Sequence, residues 1–392
     1  MKTLLSRMAT SGNKRLKVGF VLDDGLDKPD GVQQYILAIG GWLRSQGHEV
    51  RYLVGQTSRT DIEGLYSMSR NMRVRFNGNS LSMPLPTRRA KLRRVLQAER
   101  FDVLHIQVPY SPFMGHQAIM AADERTAVVG TFHVAPNYWL STIGNRALGL
   151  WLHGSLKRFD RMLSVSPAAA DFASETFRVG SDISPNVIDY GRFHGARPLR
   201  RYRDGRPVIL FLGRLVPRKG CLQLLKAVNG LTGRRGLPPF RVVICGTGPL
   251  EQQLRRYVDD HGLGDTVEFA GFVSEEDKPR YYASADIAVF PSMGGESFGI
   301  VLLEAMASGR SAILAGDNPG YRSVLVQRPE LLVDPQDTQA FSVRLSRYLQ
   351  DEALRREVAA WGEEFTKAYD VDVVGRQLLK VYGEALRKRR DP

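Results

Sequence analysis

The sequence predicts an α/β protein made of two consecutive doubly wound domains. Three observations lead there. Short β-branched apolar runs alternate with stretches of helical spacing, the pattern that parallel strands with crossover helices produce. The alternation occurs twice, on either side of a basic stretch with Gly and Pro from Asp189 to Arg206. The chain has 392 residues, two domains' worth at roughly 100–200 residues each.

The first strand is KVGFVL, Lys17 to Leu22, followed by a Gly/Asp/Pro-rich loop from Asp23 to Gly31. Ile36, Ile39 and Leu43 recur at helical spacing, predicting a helix from about Val32 to Gln46 that stops at Gly47. HEVRYLV, FDVLHIQV, AVVGTFH and RMLSVS continue the first series of strands. PVILFLG, FRVVICG, VEFAGFV, IAVFPS and SAILAG form the second, with helices such as LEQQLRRYVDDHG between them. The expected domains are residues 1–189 and 190–372, with a last helix over 373–392 returning to the first domain. A cleft between doubly wound halves is the natural ligand site, because strand carboxyl ends and helix N-termini face it.

Lys and Arg number 55 against 41 Asp and Glu, a net charge of +14, which favours an anionic partner: a lipid headgroup, a nucleic acid or a phosphorylated small molecule. The two cysteines, Cys221 and Cys245, are too few for a disulfide scaffold and lack C-x-x-C spacing. The opening MKTLLSRMATSGNKRLK breaks its apolar run at Ser6 and Arg7, so no export signal is expected. No run of about 18 uncharged apolar residues occurs, so any membrane role is expected to be peripheral.

The segment richest in chemistry is PSMGGESFGIVLLEAMASG, Pro291 to Gly309. Glycines follow a strand and permit close backbone approach, and a helix is expected to begin near Ser297 as its cap. Its first amides, those of Phe298, Gly299 and Ile300, would then meet an anion. Glu296 and Glu304 are eight residues apart, slightly over two helical turns, so both are expected to face one ligand.

This segment resembles the E-x7-E segment of the family-4 retaining glycosyltransferases of the GT-B fold. Gly213-Arg214 followed by Pro217-Arg218-Lys219-Gly220 is similar to that family's diphosphate-clamping loop, and Gly246-Thr247-Gly248-Pro249 to its glycine turn beside the nucleotide. Thr131-Phe132-His133 stands where the family carries its active-site histidine. PDGVQQY, FNGN and FDVLHIQVP extend the resemblance to the phosphatidylinositol mannosyltransferases, with Gly31, Val32 and Gln33 matching the glycine-rich loop. Asp30 departs from it, as do Asp23 and Asp24, where Pro and Tyr are usual, and VAPNYWL after His133.

The resemblance implies a hexosyltransferase that moves mannose from GDP-mannose to a lipid-linked acceptor, phosphatidylinositol or a polyprenol carrier. It places Glu296 on the donor-sugar hydroxyls, Arg214 and Lys219 on the diphosphate, Glu304 on the ribose and His133 beside the sugar's O6. Gly31, Gly213, Gly246, Phe298, Gly299 and Ile300 would line the donor, with Gln33 and Asn77 on the acceptor side. No cofactor or metal is expected, since Asp23-Asp24 and Asp259-Asp260 are adjacent pairs and no D-x-D lies at the diphosphate.

TRRAKLRRVLQAER, Thr87 to Arg100, is a basic amphipathic helix. Arg88, Arg89, Lys91, Arg93 and Arg94 read as a surface for anionic lipid at the cytoplasmic face of a membrane. Other readings stand beside this one: a UDP-sugar enzyme with a soluble or polysaccharide acceptor, a sugar-nucleotide epimerase, and a non-catalytic lipid or nucleic-acid binder. Nucleic acid is disfavoured, because aromatics do not interleave with the basic run as a stacking platform requires. The oligomeric state is left open.

Overall fold

The computed structural model describes residues 15–27, 30–69, 71–76, 79–84, 87–133, 149 and 151–390. Two parallel sheets dominate. In the first, β1 (Lys17–Leu22), β2 (Glu49–Val54), β3 (Leu65–Ser67), β6 (Val103–Gln107), β7 (Ala127–Phe132), β8 (Arg161–Ser164) and β9 (Asp182–Ile183) lie in the order β3-β2-β1-β6-β7-β8-β9. A separate hairpin, β4 (Asn71–Phe76) with β5 (Asn79–Pro84), pairs antiparallel and adds two strands to those expected from the sequence.

The second sheet holds β10 (Val208–Leu212), β11 (Arg241–Cys245), β12 (Val267–Gly271), β13 (Ile287–Phe290), β14 (Ala312–Gly316) and β15 (Leu332–Val333), in the order β12-β11-β10-β13-β14-β15. Strand order reverses between β1 and β6 and again between β10 and β13, and ligands bind at such switch points. The strands are buried on both faces, as crossover helices on both sides require: Val103–Gln107 and Ala127–Phe132 are buried throughout.

The carboxyl ends of the two sheets meet. Beyond β8, the Ser166 hydroxyl donates to the Ser297 carbonyl beyond β13 at 3.1 Å. On the helix after β1, Gln34 Nε2 donates to Glu275 Oε1 beyond β12 at 3.5 Å. The connecting stretch is ordered rather than a bare tether. It carries a short helix, Tyr190–Phe193, and a 3-10 turn, Arg200–Tyr202, whose buried Tyr202 donates its hydroxyl to Glu268 at 2.8 Å.

The chain crosses back at Tyr369–Val371, where Ile188 N donates to Tyr369 O at 3.0 Å and Val371 N to Ile188 O at 2.8 Å. The last helix, Val371–Arg390, then lies on the first sheet's side. Trp42 Nε1 donates to Asp372 at 2.9 Å, Tyr382 OH lies 2.7 Å from His105 Nδ1, and Arg389 Nε lies 2.7 Å from Asp160 Oδ1. Gly375 permits this seating, because a Cβ there would fall 2.4 Å from Cε3 of Trp42, a ring already held by Asp372. Gly375→Leu is therefore expected to overpack the contact and cost about 1–3 kcal/mol. A lowered thermal unfolding midpoint checks this, with Gly41→Leu, where a Cβ meets open space, as the control.

Candidate active site

The site is assembled from three loops at the carboxyl ends of β10, β11 and β13. The loop after β10 begins at Gly213 and curls through the 3-10 turn Pro217–Lys219 into the helix Cys221–Asn229. It is fastened to the loop after β13, since Met293 N donates to Arg218 O at 2.8 Å and the Ser292 hydroxyl donates to the same carbonyl at 3.2 Å. It is fastened equally to the turn after β11: Gly213 N donates to Cys245 O at 2.9 Å and Leu215 N to Thr247 O at 3.0 Å. At Gly246, φ is +136° and a Cβ would fall 1.9 Å from Gly213 O. Only glycine allows the two turns so close.

These loops bring Glu296 to two cations. Its Oε1 lies 2.7 Å from Arg218 Nη1 and 2.8 Å from Lys219 Nζ, and accepts from Ser292 Oγ at 2.8 Å. Burial works against the Glu296 carboxylate, but the charges of Lys219 and Arg218 outweigh it and hold its pKa below the ordinary value. Burial also pulls the Lys219 ammonium below its ordinary range, helped by Arg218 and Arg214 and opposed by Glu296. Two cations thus meet one carboxylate and Arg214 acts on the same Lys219 from the surface, so the cluster keeps a positive excess.

Arg214 is exposed, and it is Arg218, quoted in the sequence motif but given no role there, that reaches Glu296. Ser292 likewise went unnamed. Lone Ser and Arg residues in a loop give no signal until the loop's path is known.

Two expectations for the E-x7-E segment need correction. The helix runs Ile300–Ala307 and is capped by Gly299 at φ +113°, not by Ser297, whose carbonyl is taken by Ser166. A left-handed residue at the cap delays the helix, so of the three amides expected in its first turn only that of Ile300 belongs there. Glu296 therefore lies outside the helix, and the two-turn spacing does not bring it beside Glu304. Phe298 is buried, its ring 5.9 Å from that of Tyr369.

Glu304 has a different set of partners. It is 3% exposed; Lys278 Nζ reaches Oε1 at 3.2 Å and Tyr282 OH donates to Oε2 at 3.1 Å. Lys278 also meets Glu275 at 2.8 Å, so the second acid is wired to the residue that Gln34 touches from the first sheet. Burial raises the Glu304 pKa against the opposing charge of Lys278.

On the first sheet, His133 follows β7 and is buried, its Nε2 2.6 Å from Gln107 Oε1 and its ring edge-on to Tyr35 at 5.1 Å. Burial lowers its pKa to about 3, so it is a neutral imidazole at physiological pH. Gly31 opens the helix Gly31–Ser45, with open space where a Cβ would stand. Gln33 is buried and donates to Gly25 O at 3.3 Å, holding the loop beyond β1. Asn77 lies outside the described residues. Asp23, at the end of β1, accepts from Met114 N at 2.7 Å, and burial raises its pKa.

A family model described as "Glycosyltransferase Family 4" matches residues 29–192, and one described as "Glycosyl transferases group 1" matches residues 198–365. The phosphatidyl-myo-inositol mannosyltransferase of Mycolicibacterium smegmatis is 33% identical over 376 residues, covering 94% of this chain and 93% of that one. The chain belongs to the family-4 glycosyltransferases. This glycosyltransferase is also 25% identical, over 90% of its length and 94% of the other's, to the GDP-mannose-dependent α-(1-6)-phosphatidylinositol monomannoside mannosyltransferase of Mycobacterium tuberculosis. In fold it is similar to a crystal structure of a glycosyltransferase from Rickettsia africae, with a TM-score of 0.75, 16% identity and coverage of 95% and 99% of the two chains. The architecture is GT-B and the protein a hexosyltransferase, which sets aside the epimerase and the non-catalytic binder.

The ionic pairing of Glu304 makes a stability prediction. Lys278→Met leaves the carboxylate buried without its cation, a change of about 3–5 kcal/mol. The Glu304 pKa is raised in the folded enzyme, so the folded state holds the proton longer and stability falls as pH rises from the unfolded carboxyl value through the raised one. Removing Lys278 raises that pKa further, so the deficit against wild type should widen as pH increases. Unfolding midpoints of both proteins from pH 5 to 8 measure this, and a pH-independent gap counts against it.

Proposed function

We propose that the enzyme transfers mannose from GDP-mannose, with retention, to a phosphatidylinositol-type lipid at the cytoplasmic face of a membrane, without a metal. The observation that carries this reading is the end-to-end match to proteins of that name, which spans both sheets and so covers donor and acceptor halves together. The geometry supplies the chemistry. As the bond from the sugar C1 to the diphosphate oxygen breaks, negative charge grows on the diphosphate, and Arg214, Arg218 and Lys219 stabilise it. The acceptor oxygen bonds to C1 on the same face, and its proton passes to the departing phosphate oxygen. Glu296, held ionised, accepts hydrogen bonds from sugar hydroxyls, and Glu304 does so for the ribose. His133, neutral at working pH, contributes a hydrogen bond rather than a proton.

A specific observation favours a second reading for the acceptor alone. Asp23 and Asp24 follow β1 where the resemblance expects Pro and Tyr, and a carboxylate pair there suits a soluble polyhydroxyl or polysaccharide acceptor better than a phosphate.

The basic helix supports the membrane part. It runs Arg89–Glu99 with Leu92 and Leu96 turned into the core, while Arg88, Arg89, Lys91, Arg93 and Arg94 are all exposed. Its neighbour, the helix Met114–Ala121, carries Met120 at 62% exposure, and the His116 ring on that helix lies 4.8 Å from that of Trp151, tilted by 33°, Trp151 being itself 58% exposed. Cations beside exposed apolar side chains suit an interface between water and anionic lipid. No helix among the described residues is long and apolar enough to cross a membrane.

Glu296→Ala and Lys219→Ala should each lower donor turnover on the order of 10²–10³-fold with unfolding midpoints showing a retained fold. The assay compares GDP-mannose, UDP-glucose and UDP-N-acetylglucosamine in the presence of a chelator. Near-normal turnover in both variants refutes the site, preference for a UDP-sugar refutes the donor, and activity restored only by manganese refutes metal independence.

For the membrane, the variant with Arg89, Lys91, Arg93 and Arg94 changed to Glu should lose co-sedimentation with anionic liposomes while keeping donor affinity. Each cation is worth about 1 kcal/mol near such a surface and less as salt rises. Unchanged sedimentation removes the membrane reading and leaves a soluble acceptor.

A further inference from the structure

We propose that Gln107 is a positioning residue that fixes the tautomer of His133, so that His133 meets the donor sugar with Nδ1 as a hydrogen-bond acceptor. The inference rests on His133 standing beside that sugar, as proposed above.

Side chains two apart on a strand share a face, so His105 and Gln107 project together from β6, and Thr131 projects with them from the neighbouring β7. Two polar rungs join the strands. His105 Nε2 lies 2.7 Å from Thr131 Oγ1, and one step toward the carboxyl end His133 Nε2 lies 2.6 Å from Gln107 Oε1. Gln107 is 1% exposed, so solvent cannot reorganise this contact.

A glutamine amide can present either its oxygen or its NH2, and the choice dictates the imidazole tautomer. Here a third group decides it. Gln107 Nε2 donates to the backbone carbonyl of His105 at 3.4 Å. A flipped amide would set its oxygen against that carbonyl, two acceptors facing each other, and would give up the short bond to His133 unless the ring changed tautomer. The oxygen therefore faces His133, Nε2 carries the hydrogen, and Nδ1 is left with a lone pair.

Gln107 is neutral, so it orients the ring without favouring the imidazolium. Among the described residues, the groups facing His133 are Gln107 and His105 from β6 and the edge of Tyr35 from the helix Gly31–Ser45. Burial accounts for the lowered pKa of the histidine. A ring held neutral and in one tautomer is a fixed acceptor for a sugar hydroxyl, with no reorganisation left for the moment of transfer.

The test uses the full-length enzyme with 15N-labelled histidine, the His133 signals being assigned through His133→Gln. Two-bond 15N–1H correlation spectra should show the Nε2–H tautomer in wild type; an Nδ1–H tautomer overturns the proposal outright. Gln107→Met, of similar shape but without the acceptor, should give mixed tautomers and a kcat roughly tenfold lower, the size of one positioned hydrogen bond, with donor KM within about twofold. Gln107→Glu keeps an oxygen at the same place, so it should restore the Nε2–H tautomer and most of kcat at high pH. It should also add a new acidic limb to the pH–rate profile, because the carboxylate raises the His133 pKa and the imidazolium has no acceptor. A folded Gln107→Met enzyme with wild-type kcat or an unaltered tautomer overturns the proposal. So does a Gln107→Glu profile without the new limb. His133→Ala separates this from the parent reading: if it retains full turnover, the placement of His133 falls, whereas an inactive His133→Ala beside an unaffected Gln107→Met removes the role of Gln107 alone.

Discussion

The structure depends on keeping a cluster of like charges together at the end of a sheet. Arg214, Arg218 and Lys219 come from one short loop, and without Glu296 the half-buried Arg218 and Lys219 would face each other with no counter-charge. Glu296 relieves that repulsion from the loop after β13, and the two loops are fastened by Met293, Ser292 and the close approach of Gly220 to Pro291 O. The close backbone approaches serve the electrostatics, since a carboxylate displaced by an ångström from both cations would leave all three groups paying desolvation with less return. A positive excess remains after this pairing, as the proposed diphosphate site requires.

The second constraint is that two sheets must stay opposed while connected by only two strands of chain. Ile188 and Tyr369–Val371 bring those crossings side by side, and the last helix then locks to the first sheet through Trp42, His105 and Asp160. The contact at His105 reaches inward. Tyr382 holds Nδ1 of His105, His105 holds Thr131, and two residues on lies His133. The end of the chain thus contributes to the order of the strand that delivers the candidate active-site histidine. On the opposite side, Glu275 collects Gln34, Arg192 and Lys278, so the residue pairing with Glu304 also senses the first sheet.

Much of this was legible before any coordinates. Strands appear where β-branched runs stood, and the helix after β1 begins within a residue of its expected start, because Gly47 and the Ile36/Ile39/Leu43 spacing are local signals. The basic helix was read to within two residues at each end. What escaped was set by contacts distant in sequence. Ser297 looks like a cap in a string, but Ser166, 131 residues away, takes its carbonyl and Gly299 turns the chain instead. The pairing of Glu304 with Lys278 and Tyr282 joins two helices, and the pairing of Gln107 with His133 joins two strands. No short window contains either. The hairpin of β4 and β5 is different, because its signal was local and was passed over: NMRVRF and the SLSM of NSLSMP alternate polar and apolar with the strand period of two, on either side of residues 77–78.

The acceptor side is where local rule and family resemblance part, and Asp23 shows why. In a parallel sheet the end of β1 faces the N-terminus of the helix Met114–Ala121, whose amides attract an anion. Here the chain supplies its own anion: Asp23 Oδ1 takes the Met114 amide, with Ser111 and Gly115 adding hydrogen bonds. Burial raises the Asp23 pKa and these donors oppose the rise, so the carboxyl already serves the helix as its anion. A headgroup phosphate arriving at the same amides would have to displace Asp23 and would meet a second carboxylate, Asp24, beside it. The cation cluster at the end of the second sheet keeps a positive excess, while this corner of the first sheet carries its own carboxylate. An acceptor that approaches through hydroxyl groups suits that corner on charge alone.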